Sequence, residues 1–169
     1  MTESATTRLT ASQEDYLEAV LQLCRERGAA QVRDIAARLG VSMPSVTGAL
    51  HKLARLELVN YTPYRTVTLS ERGRERAEIV QRRHEALDRF LVDLLGLDAE
   101  EAGAIACRME HTLDGETLAR LKALVDYATG EENRAFLKGL RRATAAAGRR
   151  ARRSEKNKKR GAEAPRKTR

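Results

Sequence analysis

Apolar residues recur at helical spacing in three short segments near the start of the chain. The first begins after Ser12 and ends near Gly28, with apolar residues at the i, i+3, i+4 and i+7 positions of an amphipathic helix. The second covers residues 32–39, and the third runs from Ser42, a suitable N-cap, to about Leu56. The pattern predicts three helices in close succession.

The periodicity then changes to that of β-strands. Residues 58–62 and 65–69 are rich in Val, Tyr and Thr, and the segment around Pro63 that joins them is typical of a tight turn. Two such strands predict a β-hairpin. Three helices followed by a hairpin predict a winged helix.

Helical spacing returns at Ser70 and continues to Gly96, which predicts one long helix. Two further helices are predicted over residues 98–111 and 114–129, each opened by an acidic N-cap, and a weaker one over residues 131–147. The predicted fold is therefore mostly α.

The second and third predicted helices have the features of a helix-turn-helix. Ala36 is small where the two helices would cross, Gly40 allows a sharp turn, and Val41, Val46 and Leu50 would fix the angle between them. An ordinary corner between two helices is the alternative, but the hairpin follows where a wing is expected. The third helix would then enter the major groove of DNA.

Exposed residues of this predicted reading helix are the candidates for contacts with base edges. They are Ser42, Pro44, Ser45, Thr47, Gly48 and His51. Three basic residues, the last of them at the predicted wing tip, are candidates for phosphate contacts that set the register on DNA. They are Arg33, Lys52 and Arg65. A solvated surface position is the alternative interpretation of each.

The charge of the chain is concentrated at its end. The 169 residues carry a formal net charge of +8, and residues 141–169 hold thirteen Lys or Arg against two Glu, which is +11 and leaves 8 − 11 = −3 for residues 1–140. Because this run has no apolar face to bury, disorder is predicted beyond Gly148. It is interpreted as an arm that seeks polyanions, with a simple solubility tail as the alternative.

Cysteine usage and hydropathy indicate a cytoplasmic protein. Cys24 and Cys107 lie far apart, and no secretory leader precedes Ser12, so neither a disulfide framework nor secretion is expected. The most apolar stretch, residues 90–95, is much too short to span a bilayer. No membrane role is expected.

One group of residues has the chemistry of a metal site. Cys107, Glu110 and His111 are spaced i, i+3, i+4, so on a helix a thiolate, a carboxylate and an imidazole would share one side. Further potential ligands are Asp15, Glu18 and His84. Each residue also has an ordinary alternative: the two acids could complement a helix dipole, the cysteine could fill a core and the histidine could be solvated.

Four segments of the chain resemble a known family. They are residues 12–18, the helix-turn-helix at 32–46, Arg83-His84-Glu85-Ala86-Leu87, and Ala106-Cys107-Arg108-Met109-Glu110-His111. Together they look like the diphtheria-toxin-repressor and manganese-transport-regulator family, over roughly residues 10–125. The resemblance implies a cytoplasmic homodimer that binds palindromic operator DNA when loaded with Mn2+ or Fe2+. No enzyme is expected, because the sequence shows neither a Gly-rich phosphate loop nor a nucleophile–base arrangement.

The resemblance also implies a ligand set. Asp15, Glu18, His84, Glu110 and His111 match ligand positions of the manganese branch, whereas Cys107 stands where that branch has glutamate and the iron branch has cysteine. The iron branch in turn has methionine at the position of Asp15. The hard carboxylates of such a hybrid site favour Mn2+. The single soft thiolate adds preference for softer ions, which makes Fe2+ the alternative.

Three parts are expected along the chain. The resemblance implies a winged helix-turn-helix DNA-binding domain at 1–72 and a helical metal-binding and dimerisation domain at 73–147, whereas the basic disordered tail at 148–169 is predicted from its charge and lies outside the resemblance. The metal would act as corepressor by fixing the two reading helices at a spacing near one DNA turn, about 34 Å. The alternatives are a metal-independent winged-helix regulator that senses an organic ligand or redox state, a helical di-metal enzyme, and an architectural DNA binder led by the tail.

Overall fold

The computed structural model describes residues 9–162, with side chains for 9–154 and 156. By their contacts these residues form two units. The first holds the residues up to His84 together with Glu110–Thr112, and the second holds the remaining ones.

The first unit is a winged helix. Its elements are α1 (Ala11–Arg27), α2 (Val32–Leu39), α3 (Met43–Arg55), β1 (Val59–Asn60), β2 (Thr68–Leu69) and the first part of α4 (Glu71–Arg89). The strands are antiparallel, with Val59 opposite Leu69. The order of three helices and a hairpin predicted from the periodicity is confirmed.

α1 begins slightly earlier than the apolar pattern indicates. The N-cap is Thr10, two residues before Ser12. The Thr10 hydroxyl accepts a hydrogen bond from the Gln13 amide, and the Gln13 side chain accepts one from the Thr10 amide. This reciprocal capping box follows the pattern Thr-x-x-Gln.

We expect Thr10→Ala to lower the free energy of unfolding by about 1 kcal/mol in urea denaturation, and no change in that energy would contradict the capping role.

The turn between α2 and α3 forms as predicted. Gly40 has a φ of 64°, in the left-handed region, and its amide donates to the Ala36 carbonyl to end α2. Ser42 then caps α3 by accepting from the Ser45 amide, and Pro44 lies in the first turn, where no amide hydrogen is needed. The two helices are therefore joined with almost no linker.

One apolar core holds the helices and the wing of the first unit together. α1 contributes a continuous buried face, and each of the other elements adds side chains to it. The largest of its wholly buried members are Leu17, Val20, Leu21, Leu23, Ile35, Val46, Leu50, Leu53 and Val67. α1 packs on α2, α3 and β2, so a shift of α1 would disturb its packing against all three.

The strands of the wing are shorter than predicted. Only two residues of each strand pair, and one further bridge joins Ala30 to Val67. Residues 62–66 between them are exposed, and Pro63 has no amide hydrogen with which to extend the ladder. At the tip, Tyr64 has a φ of 65° and the Arg65 amide donates to the Thr62 carbonyl.

Gly73 is a glycine that the sequence does not single out. A Cβ atom at this position would lie 1.7 Å from the Leu58 carbonyl oxygen, so the first turn of α4 touches the backbone that leads into β1.

We expect Gly73→Ala to destabilise the protein by about 1–3 kcal/mol or more in urea denaturation. Gly48→Ala is the control, because Gly48 is an exposed helical residue with nothing within 4 Å of its added Cβ. Equal stability of the two variants would refute this account.

The second unit is helical. It contains the end of α4, a wider π-helical segment at Phe90–Leu95, α5 (Ala99–Met109), α6 (Gly115–Thr129) and α7 (Arg134–Ala162). The helices predicted at 98–111 and 114–129 therefore form, except that Glu110–Thr112 is a 3-10 turn of the first unit. Asp114 caps α6 by accepting from the Thr117 amide, and this hydrogen bond lowers the pKa of Asp114.

The last helix continues well past its predicted end. Disorder was expected beyond Gly148, yet α7 is helical to Ala162, so for residues 149–162 the expectation is wrong. Its alanine, arginine and lysine residues have high helix propensity, so a helix can persist here without an apolar face. The rest of the basic tail, 163–169, lies outside the described residues. Along residues 9–162, no helix is both long and apolar enough to cross a membrane.

Candidate functional site

Three acidic residues lie on adjacent turns of α1, toward its N-terminal end. Glu14, Asp15 and Glu18 are placed there because the apolar residues of α1 face the core and leave this side to polar groups. Glu18 is nevertheless buried, with 9% of its surface exposed. Its carboxylate accepts a hydrogen bond of 3.3 Å from Gln22.

Glu110 and His84 meet these acids within the first unit. Glu110 is completely buried, and its Oε2 lies 2.7 Å from Nδ1 of His84. One potential ligand atom from each of Glu18, His84 and Glu110 lies within 4.8 Å of the other two. Residues far apart in the sequence are thus brought together at one point.

His111 joins the cluster from the same 3-10 turn as Glu110. Its Nδ1 lies 2.8 Å from Oε2 of Glu14, and its Nε2 lies 3.0 Å from Oδ1 of Asp15 and 3.7 Å from Oε1 of Glu110. Because an ionised carboxylate only accepts hydrogen bonds, Nδ1 donates to Glu14. In the neutral ring, the Nε2 lone pair then faces two carboxylates.

The protonation behaviour of the cluster follows from this crowding. Burial raises the pKa of Glu18, and the negative charges of Glu110 and Asp15 raise it further. For His111, burial lowers the pKa, but the hydrogen bond to Glu14 and the charges of Asp15 and Glu110 outweigh it, so the net pKa is raised. The raised pKa of His111 shows that the carboxylates favour positive charge at this point, and the raised pKa of Glu18 shows that burial and repulsion disfavour a further negative charge there.

With His111 neutral and its Nδ1 donating to Glu14, two buried carboxylate oxygens in the cluster accept no hydrogen bond from any residue that the structure describes. They are Oδ1 of Asp15 and Oε1 of Glu110. Buried oxygens of this kind are costly unless a cation or a proton compensates them. Oxygen and imidazole donors that converge around such atoms fit a divalent cation well.

Five of the predicted metal ligands are therefore close neighbours: Asp15, Glu18, His84, Glu110 and His111. The sixth, Cys107, is exposed in the last turn of α5 and belongs to the second unit. The expectation that Cys107, Glu110 and His111 share one α-helix is wrong, because α5 ends at Met109 and the other two lie in the 3-10 turn.

Glu14 is the residue of this cluster that the sequence reasoning missed. Besides its hydrogen bond to His111, its Oε1 lies 3.6 Å from a guanidinium nitrogen of Arg83. Its position directly before Asp15 and the arginine directly before His84 were the available signals. Neither signal indicates that the Glu14 carboxylate would accept a hydrogen bond from a candidate metal ligand, His111.

The predicted DNA-contacting residues lie on the outer side of α3, at the start of α2 and in the wing. Thr47 is half-buried. The exposed ones are Arg33, Ser42, Pro44, Ser45, His51, Lys52 and Arg65. Four of the exposed residues have local partners. A guanidinium nitrogen of Arg33 lies 3.8 Å from a carboxylate oxygen of Asp34, and Ser45 donates its amide hydrogen to the Ser42 hydroxyl. Ser42 caps α3, and the His51 ring packs edge-on against Tyr61 with ring centroids 5.1 Å apart.

A groove of about 540 Å³ lies between α3 and the wing. It brings together three of the predicted residues, Arg33, Thr47 and Arg65. Met43 and Tyr64 are among the lining residues that were not predicted. Tyr64 is fully exposed and Met43 is 56% exposed. Exposed apolar side chains beside basic ones suit contact with base edges and sugars as well as with phosphates.

The fold and this exposed helix define a winged-helix DNA-binding protein. Two family profiles match the chain: "Iron dependent repressor, N-terminal DNA binding domain" over residues 8–67, and "Iron dependent repressor, metal binding and dimerisation domain" over residues 70–132. The chain belongs to this family of metal-dependent, DNA-binding transcriptional repressors.

Individual relatives agree with the family. The chain is 38% identical over 119 residues to an uncharacterised HTH-type transcriptional regulator of Methanocaldococcus jannaschii, covering 70% of this chain and 95% of that protein. It is 36% identical over 125 residues to the transcriptional regulator MntR of Bacillus velezensis, covering 74% and 87%. A solved manganese-dependent transcriptional repressor complex with manganese superposes with a TM-score of 0.62 at 31% identity, covering 68% of this chain and 53% of that one. The chain thus spans about half the length of that structure.

Proposed function

We propose that the protein is a homodimeric repressor that acts in the cytoplasm and binds operator DNA when Mn2+, or alternatively Fe2+, occupies the cluster around Glu110. The observation that carries this proposal is the convergence of Asp15, Glu18, His84 and Glu110 around carboxylate oxygens that are buried without hydrogen bonds. His111 and Cys107 complete the proposed ligand set. Membership of a metal-dependent repressor family supports the same conclusion.

The donor set supports a hard or borderline divalent cation. Carboxylates and imidazoles suit Mn2+ and Fe2+, whereas the Cys107 thiolate adds preference for softer ions such as Co2+ and Zn2+. Two relatives point to manganese by name: a transcriptional regulator MntR and a repressor solved in complex with manganese. We therefore favour Mn2+ over Fe2+.

The link from the site to DNA runs through α1. Glu14, Asp15 and Glu18 project from one side of α1, and the opposite side packs on α2, α3 and β2. When bound, the cation supplies positive charge that neutralises the clustered carboxylates. Glu110 would then no longer repel the acids of α1, and together with His111 it would hold the helix that packs on α3 in one position.

Exposed apolar side chains of the second unit support the homodimer. Leu124, Tyr127 and Phe136 are 48%, 63% and 54% exposed, in the segment that contains α6 and the start of α7. Large side chains exposed in this way mark protein interfaces. A palindromic operator would match the two-fold symmetry of such a dimer.

Operator binding at buffered free metal concentrations tests the proposal. The operator is first selected from a random duplex pool with the Mn2+-loaded protein, and affinity is then measured with Mn2+, Fe2+, Co2+, Zn2+ and chelator. We expect Mn2+ to raise operator affinity strongly. Cys107→Glu should increase the preference for Mn2+ over Co2+ and Zn2+, because an oxygen donor replaces sulfur. Equal affinity with Mn2+ and with chelator would favour a regulator that senses an organic ligand or redox state.

Glu14 is expected to position His111 for the cation. Its hydrogen bond to Nδ1 fixes the ring orientation and leaves Nε2 for coordination, and loss of such a partner lowers metal affinity about 10–100-fold. We expect Glu14→Ala to weaken Mn2+ binding by that factor, measured from the electron paramagnetic resonance signal of free Mn2+. Glu75→Ala on the exposed side of α4 is the control. Unchanged Mn2+ affinity of Glu14→Ala would contradict the positioning role.

A further inference from the structure

A stripe of basic side chains runs along one face of α7. Lys138, Arg142, Arg149, Arg153 and Lys156 are separated by intervals of 4, 7, 4 and 3 residues, which at 100° per residue places them within about 60° of one another around the helix. From Lys138 to Lys156 the stripe extends about 27 Å, at about 1.5 Å per residue. All five side chains are exposed.

These five residues differ from the other arginines at the start of α7. Arg134 pairs with Glu131, and Arg141 lies 3.6 Å from a carboxylate oxygen of Asp93. Among the described side chains, no acidic group pairs with any residue of the stripe, and the sequence from 134 to 154 contains no acid. Among the described side chains of its own unit, the positive charge of the stripe is therefore uncompensated.

The opposite face of α7 limits what the stripe can bind. Leu137 and Leu140 pack against the small core formed by Leu94, Val125 and Ala128. Beyond Leu140 the helix has no large apolar residue, since positions 143–148 are alanine, threonine and glycine. A membrane-surface helix needs bulky apolar residues opposite its charges, so a bilayer is disfavoured. A second copy of this helix would be repelled by like charge.

We propose that this stripe is a second DNA-binding surface, which contacts the phosphates of duplex DNA without reading sequence. The inference rests on the DNA binding of the proposed function and adds to it a surface outside the winged helix. Duplex DNA carries one negative charge per about 1.7 Å of axis, and arginine pairs with phosphate through two parallel hydrogen bonds. A straight row of cations about 27 Å long suits such a linear polyanion.

The test measures the salt dependence of binding. Full-length protein is titrated onto a mixed-sequence duplex without inverted repeats, by fluorescence anisotropy at several KCl concentrations. Each phosphate contact contributes about 0.9 to the slope of log affinity against log salt. We expect Arg149/Arg153→Gln to reduce the slope by about 1 to 2. Arg149/Arg153→Lys, which keeps both charges, should retain the wild-type slope.

Arg120/Lys122→Gln is the matched control. It removes the same charge from exposed positions of α6 and should leave the slope unchanged. Equal slopes for the stripe variant and the wild type would overturn the inference, as would a change seen with single-stranded RNA or phosphatidylserine vesicles but not with duplex DNA. Activation of operator binding by Mn2+ is measured separately on the same variants, and we expect it to persist. Its absence in the wild type would refute the proposed function without deciding the role of the stripe.

Discussion

Replacing Glu110 by glutamine is expected to abolish metal-stimulated operator binding while the protein remains folded. The amide keeps the size of the side chain but removes the charge that faces His84, His111 and Glu18. Since loss of a residue that only supports a ligand lowers metal affinity about 10–100-fold, loss of Glu110 itself should cost at least about 100-fold. Mn2+ affinity is measured by isothermal titration calorimetry.

The same variant, which should lose Mn2+ affinity, is expected to keep its stability. The charge of Glu110 contributes to the raised pKa of Glu18, so removing it relieves repulsion between two buried carboxylates. The amide oxygen of glutamine can still accept a hydrogen bond from His84, so loss of the charge on that side is offset by the relief of this repulsion. In chelator, the thermal midpoint of Glu110→Gln should therefore lie close to that of the wild type. Glu101→Gln, at an exposed position of α5, should change neither Mn2+ affinity nor stability. Wild-type Mn2+ affinity in Glu110→Gln would exclude Glu110 as a ligand.

Ser45→Glu is expected to abolish DNA binding and to stabilise the fold at the same time. Ser45 is exposed in the first turn of α3, and its amide donates to the Ser42 cap. A glutamate here completes a capping box with Ser42 and complements the helix dipole, which should add about 0.3–1 kcal/mol to the free energy of unfolding. The same charge would face DNA phosphates. Like charges in contact cost several kcal/mol, so affinity for any duplex should fall at least about 100-fold.

Ser45→Gln separates these two effects. Glutamine also completes a capping box but carries no charge, so the variant should retain most of its nonspecific DNA affinity. Anisotropy with Mn2+-loaded protein and urea denaturation provide the two measurements. Retention of wild-type duplex affinity by Ser45→Glu would show that the start of α3 does not face DNA.

The sequence predicted those parts of the fold that depend on local pattern. The helix-turn-helix was recognisable because its signals, Gly40 in the left-handed region and Ser42 as N-cap, act over a few residues. The prediction of disorder beyond Gly148 was wrong for residues 149–162. It assumed that a charged run needs an apolar face to be helical, whereas helix propensity alone sustains α7 there. The role of Gly73 depends on a contact with Leu58 that no local pattern reveals.

The candidate site was predictable only in part. Residue types and the family resemblance indicated Asp15, Glu18 and Glu110, which lie in one cluster. Glu14 was missed because its role depends on which nitrogen of His111 it faces, a property of the folded chain. Spacing on an ideal helix also failed at Glu110, where α5 gives way to a 3-10 turn.

The central claim is that residues of α1 and residues from the later part of the chain share one cation. The most direct test is a crystal structure of the Mn2+-loaded protein, with anomalous diffraction recorded at the manganese absorption edge. We predict an anomalous peak bounded by the side chains of Glu18, His84 and Glu110. A fully loaded crystal with no peak beside these three residues, or with the ion bound only elsewhere, would contradict the account.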